Sequence, residues 1–195
     1  MLPGTTRRRP CDLPLTENEL LAQPLETERL VLRRFAPDDW QAAARYTTDA
    51  DVMLYMEAHV FDLEETRAFV AANTGPDARA FAVTLKSDGT LIGHMPFHPW
   101  YGPQTFEIGW VMHPDYQRQG YATEAARALL NYGFQELHLH RIIATCQPEN
   151  PASFRVMEKL GMRREAHFVK ALYRTEDVWW DEYFFAILHE EWRKQ

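Results

Sequence analysis

The chain has 195 residues, of which 46% are hydrophobic and 25% are charged, with a formal net charge of −7. These values indicate one soluble globular domain, and the diffuse negative charge argues against nucleic acid as a main ligand, because binding phosphates requires a basic face. No apolar run approaches the ~20 residues of a membrane helix, residues 1–10 lack the apolar stretch of a secretory signal, and Cys11 and Cys146 have neither disulfide nor metal spacing. We therefore predict a cytoplasmic protein with no metal and no membrane partner.

The N-terminal residues 1–25 carry four prolines and little periodicity. We predict that they form an extension that lies outside the core or is draped on it, and that residues 26–195 form a single domain. Alternating apolar residues over Glu28–Phe35 predict the first strand of that domain.

Two helix starts follow the first strand. Pro37, with Asp38 and Asp39 after it, predicts one of them, because proline is tolerated in the first turn of a helix and carboxylates are favoured there. Asp62 and the Glu three residues later have the spacing of a capping box and predict a second helix, which ends near Asn73.

Three further strands are predicted next. Arg79–Leu85 and Thr90–Phe97 flank Ser87–Gly89, which has the composition of a hairpin turn. A Gly-Pro turn at residues 102–103 leads into Thr105–Met112, whose aromatic and branched residues predict another strand.

The strongest periodicity lies after this strand. Apolar residues recur there at steps of three and four and predict an amphipathic helix, with a stripe made of Ala122, Ala125, Ala126, Leu129, Leu130, Gly133, Phe134 and Leu137. Arg141–Cys146 then predicts a short buried strand. Because a strand, a helix and a strand follow one another, we expect a right-handed crossover that makes Thr105–Met112 and Arg141–Cys146 parallel.

The last part of the chain predicts one helix and two strands. Asn150 is a favourable N-cap, Pro151 fits the first turn, and Gly161 ends the helix. Strands are expected around residues 163–170 and 178–188. The whole pattern predicts an α+β domain on a mostly antiparallel sheet, with a parallel pair at its centre.

The segment from His113 to Glu124 is the candidate binding element. It joins a predicted strand to a predicted helix through a glycine-bearing loop, so its amides and the positive end of the helix dipole are expected to bind an anion. The segment has neither a P-loop pattern nor the Gly-x-Gly-x-x-Gly of a dinucleotide fold. Its Gln117-x-x-Gly120-x-Ala122 resembles the pyrophosphate-binding loop of the GNAT superfamily of acyl-CoA-dependent N-acyltransferases.

Further strings resemble the RimJ/RimL branch of this superfamily, namely Phe106–Met112, the loop with its flanks, Pro148–Gly161 and Trp180–Trp192. The order of the predicted elements is similar to the GNAT fold from about Thr27 to Trp192. The resemblance implies a mixed, mostly antiparallel sheet in which the central parallel strands splay apart, with helices flanking the sheet.

In this family acetyl-CoA lies between the splayed strands. The resemblance implies that backbone groups of Val111 and Met112 pair with its pantetheine arm like an added strand, and that an amide of the same stretch donates to the acetyl oxygen. The pyrophosphate is expected at Gln117 and at the amides that follow it, which belong to Arg118, Gln119, Gly120, Tyr121, Ala122 and Thr123. Gly120 allows close approach of the backbone, and a simple turn residue is the alternative.

Two residues of the next helix match family positions. Asn150 matches an asparagine that hydrogen-bonds the CoA arm, with a helix N-cap as its other role. Ser153 matches a serine near the thioester sulfur in the RimL-like branch, and a local hydrogen-bonding group is the alternative. Many relatives have a tyrosine acid where this chain has Met157, so the expected proton donor for the leaving thiolate is Ser153 or solvent.

Glu107 is the candidate base. A lysine amine with a pKa near 10.4 is only about one part in a few thousand neutral at pH 7, whereas an α-amine with a pKa of about 7.7–8.0 is roughly a tenth to a sixth neutral. A base is therefore essential for lysine-like acceptors and helpful for N-termini. Glu107 lies between two apolar residues at a Glu-Ile-Gly position that many relatives share, and a carboxylate on a solvated sheet face is the alternative.

Several other residues keep both a functional and a structural interpretation. His94 and His98 are secondary bases or polar lining residues. Cys146 lies near the CoA thiol or is an inert buried cysteine. Trp179, Trp180 and Tyr183 line the acceptor site or pack in the core.

The resemblance implies an enzyme that transfers acetyl from acetyl-CoA to a primary amine by direct attack on the thioester. By analogy with RimJ/RimL the acceptor is a protein N-terminal α-amine. A small cationic amine, such as a polyamine, an amino acid or an aminoglycoside, suits the acidic charge equally. A non-catalytic acyl-CoA-binding sensor is the alternative outside enzymes, and a homodimer is expected from relatives.

Overall fold

The computed structural model describes residues 20–56, 59–175 and 177–194. Nine strands are formed by the described residues: β1 Leu25–Glu26, β2 Leu30–Arg33, β3 Ala80–Leu85, β4 Leu91–Pro99, β5 Thr105–Ile108, β6 Val111–Met112, β7 Arg141–Cys146, β8 Arg163–Thr175 and β9 Val178–Leu188. The helices of the same ranges are α1 Trp40–Thr47, α2 Ala50–Met53, α3 Leu63–Ala72, α4 Tyr121–Gln135, α5 Pro151–Lys159 and α6 His189–Trp192. Short 3₁₀ turns at Pro37–Asp39 and Pro114–Tyr116 precede α1 and the loop before α4.

One sheet runs in the order β1-β2-β3-β4-β5-β7-β9-β8, and β6 pairs with β4 next to β5. The pairings among the described residues are antiparallel except for β5 with β7, which run parallel. Helix α4 connects these two parallel strands. The predicted α+β fold, with a parallel pair at the centre of a mostly antiparallel sheet, is thereby confirmed.

Helices cover the two faces of the sheet unequally. On one face, called here the α4 face, the buried stripe of α4 packs with residues of β4, β5 and β7 in the largest hydrophobic cluster. A fully buried leucine of such a stripe contributes about 1.5–3 kcal/mol of transfer free energy. On the opposite face, α1, α2 and α3 form a second cluster with β3, β4 and β6. Near β7 and β9, the described residues of the opposite face form a small cluster of Ile143, Phe184 and Ala186.

Local signals set most helix ends as predicted. The capping box of α3 is confirmed, because the Asp62 side chain accepts the Glu65 N–H (2.8 Å) and the Glu65 side chain accepts the Asp62 N–H (2.9 Å). Asn150 caps α5, and Gly161 follows that helix with a φ of 72°. The predicted stripe of α4 is buried from Ala125 to Phe134 and half-buried at Ala122, but the helix ends at Gln135, so its last predicted member lies beyond the helix.

Other bounds differ from the predicted ones. The predicted strand Thr105–Met112 is two strands, because Gly109 and Trp110 interrupt it. β8 extends to Thr175, and β1, α2 and α6 have no counterpart among the predicted elements. These three elements are two to four residues long, so they are too short for a periodic pattern to show.

The chain packs onto the domain before residue 26. Leu20 and Leu21 are buried in the largest cluster. The Arg34 side chain donates to the Leu20 carbonyl (2.9 Å), and the Leu21 N–H donates to the Tyr132 hydroxyl (3.1 Å). The domain boundary at residue 25 stays a prediction, and Cys11 lies outside the described residues. Among the described helices none is long and apolar enough to cross a membrane.

Candidate active site

The two central parallel strands separate after their first residues. Their pairing ends at Glu107 of β5 and Ile143 of β7. The chain then passes through Gly109, whose N–H donates to the Pro96 carbonyl of β4 (2.9 Å), and β6 pairs with β4. β7 stays paired with β9 as far as Cys146. A cleft therefore opens between β6 and the C-terminal half of β7, at the position that the resemblance implied.

Strand β6 forms one wall of this cleft. The His113 N–H donates to the Ile92 carbonyl of β4 (2.9 Å). Because backbone groups alternate sides along a strand, those of Val111 also face β4 and those of Met112 face the cleft. The Met112 carbonyl accepts the Gln117 side-chain amide (3.1 Å). The Met112 N–H is thus the backbone group of this wall that is best placed to pair with an extended ligand.

The loop after β6 is held by its own side chains. His113 Nδ1 accepts the Asp115 N–H (3.2 Å), and the Gln119 side-chain amide donates to the Asp115 carbonyl (2.8 Å). Arg118 and Gly120 both have a positive φ, of 60° and 85°. Glycine adopts such a backbone without steric cost, and at position 120 a Cβ would in addition lie 3.4 Å from the Arg29 guanidinium, so the loop favours glycine at its last position.

The loop ends at the N-terminus of α4. The first intrahelical bond runs from the Glu124 N–H to the Gly120 carbonyl (3.0 Å). The amides of Tyr121, Ala122 and Thr123 precede this bond, so they have no acceptor within the helix. The dipole of a 15-residue helix adds positive potential at the same place. The amides of the exposed loop residues and of the first turn together form a group of donors that suits a phosphate or pyrophosphate.

The end of β7 and helix α5 with its N-cap carry four of the residues that the sequence singled out. The Asn150 side-chain oxygen accepts the Ser153 N–H (3.1 Å), so Asn150 is an N-cap. The Ser153 hydroxyl contacts the Cys146 thiol, but burial dominates and raises the pKa of Cys146 to about 12. Met157 lies one helical turn after Ser153 and is completely buried. Position 157 therefore belongs to the core here, and Ser153 is the hydroxyl next to the cleft.

Glu107 lies on the opposite face of the sheet from α4. Its neighbours Phe106 and Ile108 belong to the cluster of the α4 face, and strand alternation turns the half-buried Glu107 the other way. Its register partners are His98 on β4 and Ile143 on β7. Glu107 is therefore the last paired residue before the cleft opens, with His98 as its lateral neighbour at a Cβ separation of about 4.5–5.5 Å.

His94 is placed differently from His98. It is buried under α1 and α3, where its ring contacts Tyr46 and Phe69 at centroid distances of 5.6 and 4.8 Å. These neighbours make His94 a part of the cluster beneath the helices and separate it from Glu107.

Aromatic residues close the opposite face beside the cleft. The Tyr55 hydroxyl donates to the Glu149 carbonyl in the loop after β7 (3.0 Å), and its ring packs against Trp180 of β9 (5.6 Å). The Arg174 guanidinium lies over the Trp180 ring (4.3 Å) and donates to the Met56 carbonyl (3.0 Å). The β8–β9 hairpin is thus tied to the segment after α2 across the cleft.

The three aromatic residues proposed for the acceptor site separate into two groups. Alternation along β9 places Trp180 and Phe184 on the face of Glu107. Trp179 and Tyr183 point the other way, Trp179 packing on Tyr173 (5.3 Å) and Tyr183 on Phe154 (6.2 Å). Only Trp180 of the three shares the face of the candidate base.

Sequence reasoning missed four residues that the fold brings to this region. Glu182 shares the face of Trp180, and counting by two along the last strand would have found it. Tyr55, Arg29 and Glu124 had no local signal for a role, because their contacts join positions about ninety residues apart or more. Within the described residues no three His, Cys, Asp or Glu side chains are grouped as a metal site requires.

The sequence matches the family described as Acetyltransferase (GNAT) domain over residues 29–163. It is 53% identical over 168 residues to the uncharacterized N-acetyltransferase YnaD of Bacillus subtilis (strain 168), which covers 86% of this chain and 98% of the relative. An acetyltransferase of the GNAT family from Bacillus anthracis has 52% identity and a TM-score of 0.82, over 87% of this chain and all of the other. A spermidine N-acetyltransferase from Vibrio cholerae, solved with CoA and spermine, has 22% identity and a TM-score of 0.74, over 86% and 99% of the two chains. At that identity the likeness concerns the fold alone.

Proposed function

This chain belongs to the GNAT family of acetyltransferases, and from that premise we propose that it transfers an acetyl group from acetyl-CoA to a primary amine, with a protein N-terminal α-amine as the preferred acceptor. Acetyl-CoA is the acyl donor of the family. A cytoplasmic location and a homodimer, both expected from the sequence and its resemblance, are part of the same proposal.

The residues of the cleft suit acetyl-CoA. The Met112 N–H faces the gap where the pantetheine arm would pair with β6, and the Asn150 side-chain NH₂ keeps its donors while its oxygen caps α5. The amides from Arg118 to Thr123 would hold the pyrophosphate, with Gly120 allowing the approach. Gln117 acts indirectly: its side-chain amide donates to the Met112 carbonyl and so holds the loop against β6.

One observation carries the proposal of amine chemistry. Glu107 is the last paired residue before the strands separate, and it points to the face opposite the α4 helix. A donor that enters from the loop at the α4 N-terminus would therefore present its acetyl group between the strands, with Glu107 on the far side. An amine entering from the opposite face meets the carboxylate and the acetyl carbon together, which is the geometry that direct attack requires.

The proton balance assigns the remaining roles. The reaction joins the amine nitrogen to the acetyl carbon and breaks the bond from carbon to sulfur, so one proton leaves nitrogen and one reaches sulfur. Glu107 accepts the first proton, directly or through water. The Ser153 hydroxyl donates the second, with solvent as the alternative acid. Cys146 is a poor nucleophile because its raised pKa leaves almost no thiolate, so an acyl-cysteine route is disfavoured.

The preference for an N-terminal α-amine is supported by the resemblance to the RimJ/RimL branch and by chemistry. An α-amine is already partly neutral at pH 7, because its pKa of about 7.7–8.0 lies close to that pH. One half-exposed carboxylate is then sufficient as a base. An ε-amine, with a pKa near 10.4, would require a stronger base.

A small cationic amine is the second candidate. Strand alternation puts Glu107, Glu182 and Trp180 on one face of the sheet, and carboxylates and an indole ring spread over one face suit an alkylamine with a second positive charge. The net charge of −7 favours the same class of ligand.

Thiol release from acetyl-CoA against a panel of amines tests both candidates. The panel pairs peptides with free Ala or Ser N-termini, and N-acetylated copies of them as controls, with polyamines, amino acids and aminoglycosides. Turnover confined to the free peptides supports the preferred acceptor, and turnover confined to small amines supports the second candidate. Tight acetyl-CoA binding without turnover on any amine of the panel would leave two interpretations, an acceptor outside the panel or a sensor.

A further inference from the structure

Arg29, just before β2, lies against the loop that precedes α4 although it is about ninety residues earlier in the chain. One guanidinium nitrogen (NH1) donates to the Gln119 carbonyl (3.1 Å). A second (Nε) donates to a carboxylate oxygen of Glu124 (2.7 Å). The guanidinium carbon also lies 4.4 Å from the centroid of the Tyr121 ring. Arg29 therefore contacts both sides of the loop glycine, Gly120.

The bond to Gln119 sets the direction of one peptide plane. In a trans peptide the carbonyl and the following N–H point in opposite directions. Because the Gln119 oxygen points at Arg29, the Gly120 N–H points away from Arg29. Glycine at position 120 has no side chain to resist rotation of this plane, so an external contact has to hold it.

Glu124 is the second half of this contact. It lies in the first turn of α4, where an ionised carboxylate would occupy the positive end of the helix and compete with a phosphate. Its oxygens are instead turned toward the start of β2, where they accept the Thr27 hydroxyl (2.6 Å) and the Arg29 N–H (3.0 Å). Burial favours a higher pKa for Glu124, but these bonds and the Arg29 charge outweigh it and lower the pKa.

The Arg29 and Glu124 pair is partly exposed, with 42% and 19% of the two side chains accessible. A pair of this kind contributes little to the stability of the fold. The hydrogen bonds of Arg29 to the loop and to the first turn of α4 have a different consequence. They set how the N–H donors of the loop are arranged before a ligand binds.

We propose that Arg29 is a positioning residue for the donor substrate: it fixes the Gln119–Gly120 peptide plane and neutralises Glu124, so that the loop amides are pre-organised for the pyrophosphate of CoA. This inference rests on the proposed function of the loop. Pre-organisation lowers the cost of binding without adding a contact to the ligand.

The test compares donors with and without the pyrophosphate. Wild type and the variants Arg29→Gln and Arg29→Lys are assayed with acetyl-CoA and with S-acetylpantetheine, which lacks the pyrophosphate together with the nucleotide attached to it. We expect both variants to raise the KM for acetyl-CoA about tenfold or more, while kcat/KM for S-acetylpantetheine is unchanged. Lysine keeps the charge but lacks the planar fork that reaches Gln119 and Glu124 together, so failure of lysine to rescue distinguishes positioning from charge.

Arg67→Gln is the matched control, because it removes a positive charge from an exposed pair with Glu64 on α3, on the opposite face of the sheet from α4. It is expected to leave the KM for acetyl-CoA unchanged. Glu124→Gln removes the charge of the other partner in the pair with Arg29. This variant should raise the KM for acetyl-CoA by a smaller factor than the Arg29 variants do. Thermal unfolding of each variant checks that it is folded.

Two negative results have different meanings. If the wild type uses S-acetylpantetheine as efficiently as acetyl-CoA, the loop does not bind the pyrophosphate, and the proposed function of the loop is wrong. If the wild type prefers acetyl-CoA and Arg29→Gln keeps the full preference, the loop assignment survives and the role of Arg29 is overturned.

Discussion

The Tyr46 hydroxyl lies 3.0 Å from Nδ1 of His94, in a buried pair between α1 and β4. Burial lowers the pKa of His94 to about 3. Burial, with a smaller contribution from Asp39, raises the pKa of Tyr46 well above its usual range. Both groups are therefore neutral at every pH at which the enzyme would work, and the pair attaches α1 to the sheet. His94 is not a catalytic base in this structure.

The first prediction concerns the pH dependence of stability. The folded-state pKa of His94 lies below its unfolded value near 6.5, so the unfolded chain binds the extra proton between these two values. Stability from this residue is then present above pH 6.5 and is lost as the pH falls, by about 2 kcal/mol between pH 7 and pH 5. Urea unfolding at both pH values should show a smaller decrease in His94→Gln than in the wild type. Equal decreases would contradict the prediction.

The second prediction concerns Gly120. With a φ of 85°, alanine at this position is strained, and its Cβ would lie 3.4 Å from the Arg29 guanidinium. We expect Gly120→Ala to cost about 1–2 kcal/mol of stability and to weaken acetyl-CoA binding at least tenfold, and Gly120→Trp to abolish binding. Isothermal titration with CoA measures this.

Gly89→Ala is the control for backbone strain. Gly89 has a similar φ of 76° in the β3–β4 turn, with open space around it. The Gly89→Ala variant should lose about as much stability as Gly120→Ala and keep the wild-type affinity for CoA. If Gly120→Trp bound acetyl-CoA as the wild type does, the assignment of the loop would be wrong.

The third prediction concerns Glu107. Removing a general base costs about 10²–10⁴-fold in rate, so Glu107→Gln should lower kcat strongly and flatten the rise of activity with pH. The KM for acetyl-CoA should stay near its wild-type value, since Glu107 points away from the loop.

Glu182→Gln is the comparison on the same face. It should keep the shape of the pH profile, and it should raise the KM for cationic acceptors if the second candidate function holds. An unaltered pH profile in Glu107→Gln would remove Glu107 as the base.

The fourth prediction separates the two possible acids. The hydrogen bond between Ser153 and Asn150 uses the serine backbone, so Ser153→Ala keeps the helix cap. We expect this variant to remain as stable as the wild type within about 0.5 kcal/mol and to lose at least tenfold in kcat. Asn150→Ala should instead lose about 1 kcal/mol of stability with the cap. An unchanged kcat in Ser153→Ala would assign protonation of sulfur to solvent.

The elements that the sequence predicted well have local causes. The capping box at Asp62 and the cap at Asn150 act within three residues, and the stripe of α4 follows the helical period. The loop with Gly120 was recognisable for the same reason, since a left-handed backbone next to a helix start selects glycine wherever it occurs.

Other features were hidden because they depend on pairing across the sheet. The break at Gly109 leaves an apolar run intact, and it becomes visible only when Pro96 of β4 accepts its N–H. Trp179 and Trp180 look equivalent in the sequence, but the register of β9 puts only Trp180 on the face of Glu107.

The sequence alone was enough to predict the family and the order of most elements, and to propose the loop with Gly120 as the anion site, because short-range spacing carries each of these signals. Only the tertiary structure decided which candidates meet. It buried His94 against Tyr46, placed Met157 in the core beside Ser153, and brought Arg29 to the loop. Contacts between residues far apart in sequence form only when the chain packs, so the local sequence around one residue does not indicate which distant residue it will contact.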